Sequence, residues 1–230
     1  MVGSVRDSAS PAYEELKKLP AAEGSRLILV TIDSSKLEDP AKAVEAAKEA
    51  GIDHIDIVIA NAGTSPAPGP LETANLNEVV DALNVNTMSP IALYQAAKPL
   101  MDKSTKPIWI SVSSAAGSIG NAPVHQAHWL LGYGMSKAAM NFFTMAVHGG
   151  QPNFIAYALH PGLVQTDLGN TGAKMQGMEI APITLEDSCA KLMATVRATI
   201  DQRAPNHSAN NMTRLIMPPA RKLLASSSTS

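Results

Sequence analysis

Residues 55–63 read Ile-Asp-Ile-Val-Ile-Ala-Asn-Ala-Gly, and this stretch decides how the chain is expected to fold. The run Ile55–Ala60 is rich in β-branched apolar residues, which predicts a buried strand. The strand leads directly into Asn61-Ala62-Gly63, where the glycine lets a neighbouring backbone or ligand come close. In open parallel sheets, ligands bind beyond the carboxyl ends of the strands. The stretch therefore predicts both a strand and one edge of a binding site.

The rest of the chain alternates strands with helices. Further strands are predicted at 26–33, 107–112 and 154–159, and helices at 11–19, 39–50, 72–83, 89–103, around 133–147 and 185–200. Such alternation indicates an α/β fold with helices on both faces of a parallel sheet. We expect a single domain over residues 1–200. Residues 201–230 are rich in proline and serine, and predict an irregular, disordered tail.

Composition excludes several classes of protein. The 230 residues carry a net charge of −2, which leaves no electrostatic footprint for nucleic acid or for an anionic membrane. No apolar run approaches the roughly 18 residues of a membrane span, and the first residues contain no signal-peptide core. A single cysteine, Cys189, allows no internal disulfide and fits a reducing compartment. We expect a soluble, cytoplasmic protein.

Two other predicted strands also end in residues that suit a binding site. Ser113-Ser114 follows the strand 107–112, and Pro161-Gly162 follows the strand 154–159. Parallel strands put their carboxyl ends on the same edge of a sheet. These motifs and Asn61-Ala62-Gly63 are therefore expected to share one rim.

The segment Tyr133-Gly134-Met135-Ser136-Lys137 supplies acid–base chemistry. Side chains four residues apart lie on one face of a helix, so the Lys137 ammonium is expected near the Tyr133 phenol. A nearby positive charge lowers the pKa of a phenol from about 10, which suits proton transfer during carbonyl reduction. Tyr-x-x-x-Lys also occurs by chance as a simple helix-face pair.

Taken together, the motifs resemble the short-chain dehydrogenase/reductase family, and in particular fungal members similar to norsolorinic acid ketoreductase. The matching pieces are Asn61-Ala62-Gly63, Val85-Asn86, Val112 to Gly117, Tyr133 to Lys137, and His160 to Asp167. The resemblance implies a three-layer Rossmann-type sheet. It also implies an oxidoreductase, a ketoreductase or alcohol dehydrogenase, that transfers hydride between NADP(H) and a small carbonyl or alcohol substrate.

The resemblance assigns four catalytic residues. Tyr133 matches the acid/base, and Lys137 matches the residue that lowers the phenol pKa and holds the ribose. Ser114 matches the serine that hydrogen-bonds the substrate carbonyl, with the adjacent Ser113 as the alternative. Asn86 matches the asparagine that links the lysine to a water chain.

The resemblance also assigns cofactor-binding residues. Besides Tyr133 and Lys137 they are Arg6, Asp33, Asn61, Ala62, Gly63, Pro161, Gly162, Val164 and Thr166. A basic residue at position 6 favours NADP over NAD, because arginine pairs with a 2′-phosphate. Asp33 matches an acid that binds the adenine edge, and it reads equally well as a turn cap.

The family's opening strand, glycine-rich turn and helix are missing from this sequence. No Gly-x-x-x-Gly-x-Gly motif is present to hold a pyrophosphate. The sheet is therefore expected to be incomplete in its N-terminal half, with the strands 26–33 and 55–60 both lacking a partner. The alternative to an active enzyme is a truncated or degenerate, non-catalytic family member.

Three smaller expectations concern single features. His125 and His128 lie in a long segment between Ser114 and Tyr133, which is expected to shape the substrate entrance; no third ligand is evident, so no metal site is predicted. Cys189 is expected to be a small core residue of an apolar helical face. Family members often pair through their helices, so a homo-oligomer is a further expectation.

Overall fold

The computed structural model describes residues 1–201, which form an α/β fold. The described strands, all parallel, are β1 (Val2–Val5), β2 (Ile28–Thr31), β3 (Ile57–Ala60), β4 (Ile108–Val112) and β5 (Ile155–Leu159). The described α-helices are α1 (Pro11–Lys17), α2 (Asp39–Glu49), α3 (Leu76–Leu83), α4 (Ser89–Met101), α5 (Leu131–Gly150), α6 (Asp167–Met175) and α7 (Leu185–Asp201). The predicted tail at 201–230 lies outside the described residues, apart from Asp201 at the end of α7.

The strands form two separate parallel sheets. In one sheet β1 pairs with β2, with Val2 opposite Ile28. In the other, the order is β3-β4-β5, with Ile57 opposite Ile108 and Ile108 opposite Ile155. The predicted parallel α/β architecture and its incomplete sheet are both confirmed.

The three-stranded sheet is buried on both faces. Alternate residues of β4 point to opposite faces, and each set of side chains packs against a helix. Trp109 packs on one side with Met101 of α4, while Ile108 and Ile110 pack on the other side with Val196 of α7. These four residues of β4 and α4 are almost fully buried. Helices α4 and α7 therefore cover opposite faces, which is the predicted layered arrangement.

One prediction about unpaired strands is wrong. The strand predicted at 26–33 has a partner, because Val2–Val5 forms a strand beside it that sequence reasoning did not identify. The short run Val-Gly-Ser-Val is half exposed and carries little periodic signal. By contrast, β3 has only β4 as a hydrogen-bonded neighbour in the described part of the chain, as expected.

Helical predictions differ mainly at one place. Helix α6 was not predicted, because Gly169 and Gly172 lower its helix propensity. Its N-terminus is capped by Thr166, whose hydroxyl accepts a hydrogen bond from the Gly169 N–H at 3.0 Å. The predicted helix 72–83 begins later as α3, after a short 3₁₀ turn at Leu71–Thr73.

A membrane-spanning helix would need more length and apolar character than any helix between residues 1 and 201 provides.

Candidate active site

A cavity of about 620 Å³ lies at the carboxyl ends of β4 and β5. Its lining includes residues of all three rim motifs, namely Asn61, Gly63, Ser113, Ser114, Pro161 and Gly162. Of the other predicted site residues, it includes Tyr133, Lys137, Val164 and Thr166. The parallel sheet therefore brings together residues that lie up to 105 positions apart, between Asn61 and Thr166.

Helix α5 presents Tyr133 and Lys137 to this cavity because glycines let neighbouring turns pack closely against it. Gly117, at the end of the 3₁₀ turn Ala115–Gly117, is so close that an added Cβ would lie 2.7 Å from the Lys137 carbonyl carbon. On the first turn of the helix, a Cβ on Gly134 would lie 3.1 Å from the Ala116 carbonyl oxygen. The 3₁₀ turn that follows Ser114 is thus held directly against the helix that carries the acid–base pair.

Tyr133 lies beside both of its predicted partners. The Lys137 Nζ atom is 5.7 Å from the centre of the phenol ring. Desolvation raises the pKa of Tyr133 above 10, and a hydrogen bond with the Ser114 hydroxyl opposes that rise. The predicted lowering of the Tyr133 pKa is therefore wrong for this structure, because desolvation outweighs the hydrogen bond with Ser114.

Lys137 is buried, with 3% of its surface exposed. Its Nζ donates to the Val112 carbonyl at 2.8 Å, and no carboxylate of residues 1–201 forms an ion pair with it. Burial without a counter-charge lowers the pKa of Lys137 from 10.5 to about 8. The ammonium is therefore anchored at the end of β4 and titrates near physiological pH.

The structure distinguishes the two adjacent serines. Ser113 is buried, and its hydroxyl donates to Asn141 Oδ1 at 2.6 Å, which ties β4 to α5. Ser114 is partly exposed to the cavity, and its hydroxyl accepts from the Ala116 N–H at 3.2 Å. An oxygen that accepts a hydrogen bond keeps its own proton free to donate. Ser114 therefore suits the carbonyl-binding role better than Ser113.

Asn86 lies in a π-helical turn, Asn84–Met88, between α3 and α4. Its side chain bonds Thr64 twice, accepting from the N–H at 2.8 Å and donating to the carbonyl at 2.7 Å. Its amide also donates to the Ser136 hydroxyl at 2.8 Å, and that hydroxyl donates to the Tyr133 carbonyl at 2.8 Å. Asn86 thus connects the rim after β3 to the helix that carries Tyr133.

Thr64 and Ser136 are positioning residues that sequence reasoning missed. Ser136 stands inside the Tyr-x-x-x-Lys segment, one residue before Lys137, and is fully buried. A serine in the middle of an apolar helix face is a signal that a buried polar partner is needed. Thr64 directly follows Asn61-Ala62-Gly63 but carries no comparable signal.

The predicted cofactor residues divide between two neighbouring cavities. Arg6, Asp33 and Ala62 line a groove of about 980 Å³ between β1 and β3, and Asn61 and Gly63 border both this groove and the active-site cavity. The two openings therefore meet at the end of β3. One elongated ligand could extend from one cavity into the other.

Asp33 and Arg6 differ in how firmly they are held. The Asp33 carboxylate accepts from the Ser35 hydroxyl at 2.7 Å and from the Ser35 N–H at 3.1 Å. These hydrogen bonds with Ser35 lower the pKa of Asp33. Asp33 therefore acts as a turn cap, as its alternative interpretation predicted, while still lining the groove. Arg6 is exposed at the end of β1.

The loop after β5 has a fixed shape. Gly162 has a φ of 85°, in the left-handed region that favours glycine, and an added Cβ would collide with Ile183. Val164 forms a parallel bridge with Ile183, and Ser188 of α7 donates to the Pro161 carbonyl at 2.9 Å. The loop is thereby held over the cavity.

Two smaller expectations have different outcomes. His125, Gln126 and Leu130 line the cavity, in agreement with the expectation that their segment shapes the substrate entrance. Within residues 1–201, no group of three His, Cys, Asp or Glu side chains is placed to hold a metal ion. Cys189 is exposed rather than in the core, so that prediction is wrong. The face of α7 that carries it borders the cavity instead of packing on the sheet.

Comparisons with known proteins agree with this geometry. Residues 2–177 match the family described as short chain dehydrogenase. The short-chain dehydrogenase srdF of Neurospora crassa is 45% identical over 199 residues, covering 85% of this chain and 78% of that protein. Norsolorinic acid ketoreductase nor1 of Dothistroma septosporum is 34% identical, and the match covers 85% of this chain and 74% of that protein. The NADPH-bound carbonyl reductase from chicken fatty liver superposes with a TM-score of 0.67 at 26% identity, covering 77% of this chain and 74% of that one. The chain belongs to the short-chain dehydrogenase/reductase family.

Proposed function

We propose that this oxidoreductase is an NADP(H)-dependent ketoreductase, or in the reverse direction an alcohol dehydrogenase. The observation that supports this most strongly is the convergence of Tyr133, Ser114 and Lys137 on one cavity at the carboxyl edge of a parallel sheet. A phenol, a hydroxyl and an amine at one point are the groups that carbonyl reduction needs.

The residues around Gly63 fit a nicotinamide nucleotide. A Cβ on Gly63 would lie 3.2 Å from Asn86 Oδ1 and 3.4 Å from Lys137 Nζ, so the glycine keeps open a space that a side chain would fill. Lys137 and Tyr133 would hold the ribose hydroxyls there, and the loop at Pro161–Thr166 would hold the carboxamide. Arg6, which lines the groove after the end of β1, supports NADP because a guanidinium pairs well with a phosphate.

Bound NADPH would supply a hydride to the carbonyl carbon of the substrate. Ser114 would donate a hydrogen bond to the substrate carbonyl oxygen and orient it toward Tyr133. Tyr133 would then transfer its phenolic proton to that oxygen as negative charge develops. The raised pKa of Tyr133 keeps this proton in place at neutral pH. Lys137 would stabilise the phenolate that remains, because its ammonium lies beside the ring.

The substrate is proposed to be an apolar ketone or aldehyde. Leu130, Leu163, Met175 and Leu192 line the cavity, whose exposed lining is mostly apolar, and His125, Gln126 and Gln176 are among its polar side chains. The similarity to a norsolorinic acid ketoreductase and to a carbonyl reductase supports a carbonyl substrate.

A second candidate, a non-catalytic family member, is favoured by one specific observation. The sheet is divided by the groove between β1 and β3, and no glycine-rich phosphate-binding turn occurs in the sequence. A chain of this kind would keep the acid–base residues but bind dinucleotide poorly, since no turn presents backbone N–H groups to the pyrophosphate.

Titration of the purified full chain with NADPH, followed by nicotinamide fluorescence, separates the two candidates. Saturable binding together with NADPH oxidation on addition of an apolar ketone supports the reductase. Tyr133→Phe is the matched control, because it should keep binding and lose oxidation. Absence of NADPH binding, with binding restored when a strand, glycine-rich turn and helix are added before Val2 so that β1 stays intact, supports the second candidate.

A further inference from the structure

Two histidines line the active-site cavity and have no role in the proposed reduction. His125 belongs to the segment 118–130 between the 3₁₀ turn and α5, and His160 directly follows β5. Both side chains border the cavity, and both are exposed. Two parts of the chain that are distant in sequence therefore each place an imidazole in the same cavity.

The sheet places His160 beside the serines that end β4. Val112 of β4 is paired with Leu159 of β5, and the Ser113 N–H donates to the Leu159 carbonyl at 2.6 Å. His160 is the next residue on one strand, and Ser114 follows Ser113 on the other. Neighbouring strands lie only about 4.8 Å apart. His160 is therefore a close neighbour of the serine that is proposed to bind the carbonyl.

His125 lies near His160 on the α5 side of the sheet. Leu159 packs with the hydrophobic cluster on the α7 side, and successive residues of a strand point to opposite faces, so His160 starts toward α5. The segment of His125 ends there too, because the Gly134 N–H of α5 donates to the Leu130 carbonyl at 2.7 Å. Desolvation lowers the pKa of His160, and the charge of His125 lowers that pKa further. The two rings therefore share one part of the cavity.

Neither ring has a bonding partner in the described part of the chain. Within residues 1–201, no hydrogen bond or ion pair involves the imidazole of His125 or His160. His54 differs, because its ring lies 2.7 Å from Asp53 Oδ1 and this hydrogen bond raises the pKa of His54. A carboxylate placed between His125 and His160 would likewise supply an acceptor and favour the protonated rings.

The charges around the cavity favour an anion. No Asp or Glu among residues 1–201 lines the cavity, and its titratable side chains besides the two histidines are Tyr133, Lys137 and Cys189. Asp167 and Glu186 directly follow lining residues, but they are exposed and do not line the cavity themselves. A negatively charged group inside the cavity would therefore face no carboxylate there.

We propose that His125 and His160 form a subsite for an anionic group of the substrate, so that the preferred substrate is an apolar ketone carrying a carboxylate. This assignment rests on the proposed carbonyl reduction. Ser114 and Tyr133 would hold the carbonyl, the apolar lining would hold the body of the molecule, and the two rings would donate N–H groups to the carboxylate. Because His160 is so close to Ser114 along the sheet edge, the carboxylate lies only a few bonds from the carbonyl.

The test compares the binding of 4-oxo-4-phenylbutanoate and of its methyl ester to the full chain by isothermal titration calorimetry without nucleotide. The two ketones share the carbonyl and the apolar ring and differ in charge. At about pH 5.5 the acid should bind at least about tenfold more tightly, as charge-assisted hydrogen bonds predict. This preference should shrink at about pH 7, where the histidines lose their protons while Lys137, with a pKa of about 8, stays mostly charged.

His125→Gln and His160→Gln each keep a polar side chain and remove the titrating group. Each should weaken binding of the acid by about tenfold and change binding of the ester by less than about threefold. His128→Gln is the matched control, because His128 lies in the same segment outside the cavity lining. It should bind both ketones as the unchanged chain does. Circular dichroism checks that all three variants are folded.

The subsite is overturned by equal affinities for the acid and the ester at the lower pH, by absence of saturable acid binding, or by an acid preference that both His125→Gln and His160→Gln retain. The last result would place the anion at Lys137. NADPH oxidation with each ketone is recorded separately. Oxidation without preferential binding of the acid would keep the reductase and refute the subsite. Histidine-dependent binding of the acid without any NADPH oxidation would refute the reductase and keep the anion site.

Discussion

Two adjacent serines at the end of β4 have opposite environments, which gives the first test at the scale of single residues. Ser114→Ala removes the hydroxyl beside Tyr133, and ketone reduction should fall roughly 10²-fold, as for loss of one oxyanion donor. Ser113→Ala should lower the free energy of unfolding by about 1 kcal/mol, because Asn141 Oδ1 loses the hydroxyl that donates to it, with little change in turnover. Steady-state kinetics and denaturant unfolding of both variants measure this. Equal losses of turnover would contradict the assignment to Ser114.

Tyr133→Phe keeps the ring and removes the proton donor. Turnover should fall by at least ~10²-fold because the proton donor is lost, whereas the NADPH dissociation constant should rise by no more than about tenfold, as for one lost hydrogen bond to the ribose. Stopped-flow measurement of NADPH oxidation, beside equilibrium fluorescence titration, separates the two quantities. Retention of near-normal turnover would exclude Tyr133 as the acid.

Lys137 predicts a pH dependence of stability. Burial lowers its folded-state pKa from 10.5 to about 8, so the unfolded chain binds more protons between these values and the free energy of unfolding should rise with pH through that window. The rise is on the order of 3 kcal/mol. Lys137→Met should lack it, which urea unfolding at about pH 7.5 and about pH 10.5 would measure. Identical pH profiles for the two chains would show that Lys137 is not desolvated.

Sequence reasoning predicted which side chains share the cavity better than it predicted their pKa values. The four-residue spacing of Tyr133 and Lys137 predicts that their side chains meet, and they do. The direction of the Tyr133 pKa shift depends on how completely the phenol is dehydrated, which depends on side chains from distant elements. Local spacing carries no information about that burial.

At the scale of elements, the contact between α5 and the 3₁₀ turn after Ser114 depends on Gly117. Gly117→Ala places a methyl group against the backbone of Lys137, so it should cost roughly 1–3 kcal/mol of stability and reduce turnover by shifting Ser114 relative to Tyr133. Gly120→Ala is the matched control, because a Cβ at Gly120 would meet no atom within 4 Å. Thermal unfolding and turnover of both variants measure the difference. Similar behaviour of the two variants would mean that the close contact is not needed.

Strands and helices with a strong hydrophobic pattern in the sequence were predicted. Two elements with a weak hydrophobic pattern, β1 and α6, were not. The continuous apolar runs of β3, β4 and β5 identified those strands to within two or three residues. Helix α6 depends on the Thr166 cap and on the bridge between Val164 and Ile183, and β1 depends on pairing with a strand 26 residues away. Such partners are invisible to a pattern read along the sequence.

At the scale of the whole molecule, the two sheets should differ in stability. Val30 is the only buried hydrophobic side chain in the β1–β2 sheet, whereas β4 is almost completely buried. We expect backbone amides of β1 and β2 to exchange hydrogen at least roughly tenfold faster than those of β4, because a sheet with little buried surface opens locally. Hydrogen exchange with mass spectrometry measures this. Equal protection of both sheets would show that they unfold as one unit.

Gly117 and Gly134 have a wider consequence for the segment 118–130 that separates them. Both ends of the segment are fastened to the same short contact between the 3₁₀ turn and α5. We therefore expect that changes in its length and composition would leave the reacting groups on either side in place. Insertion, deletion or transplantation of this segment, which lines the cavity with His125, Gln126 and Leu130, is then expected to alter which substrates one scaffold accepts.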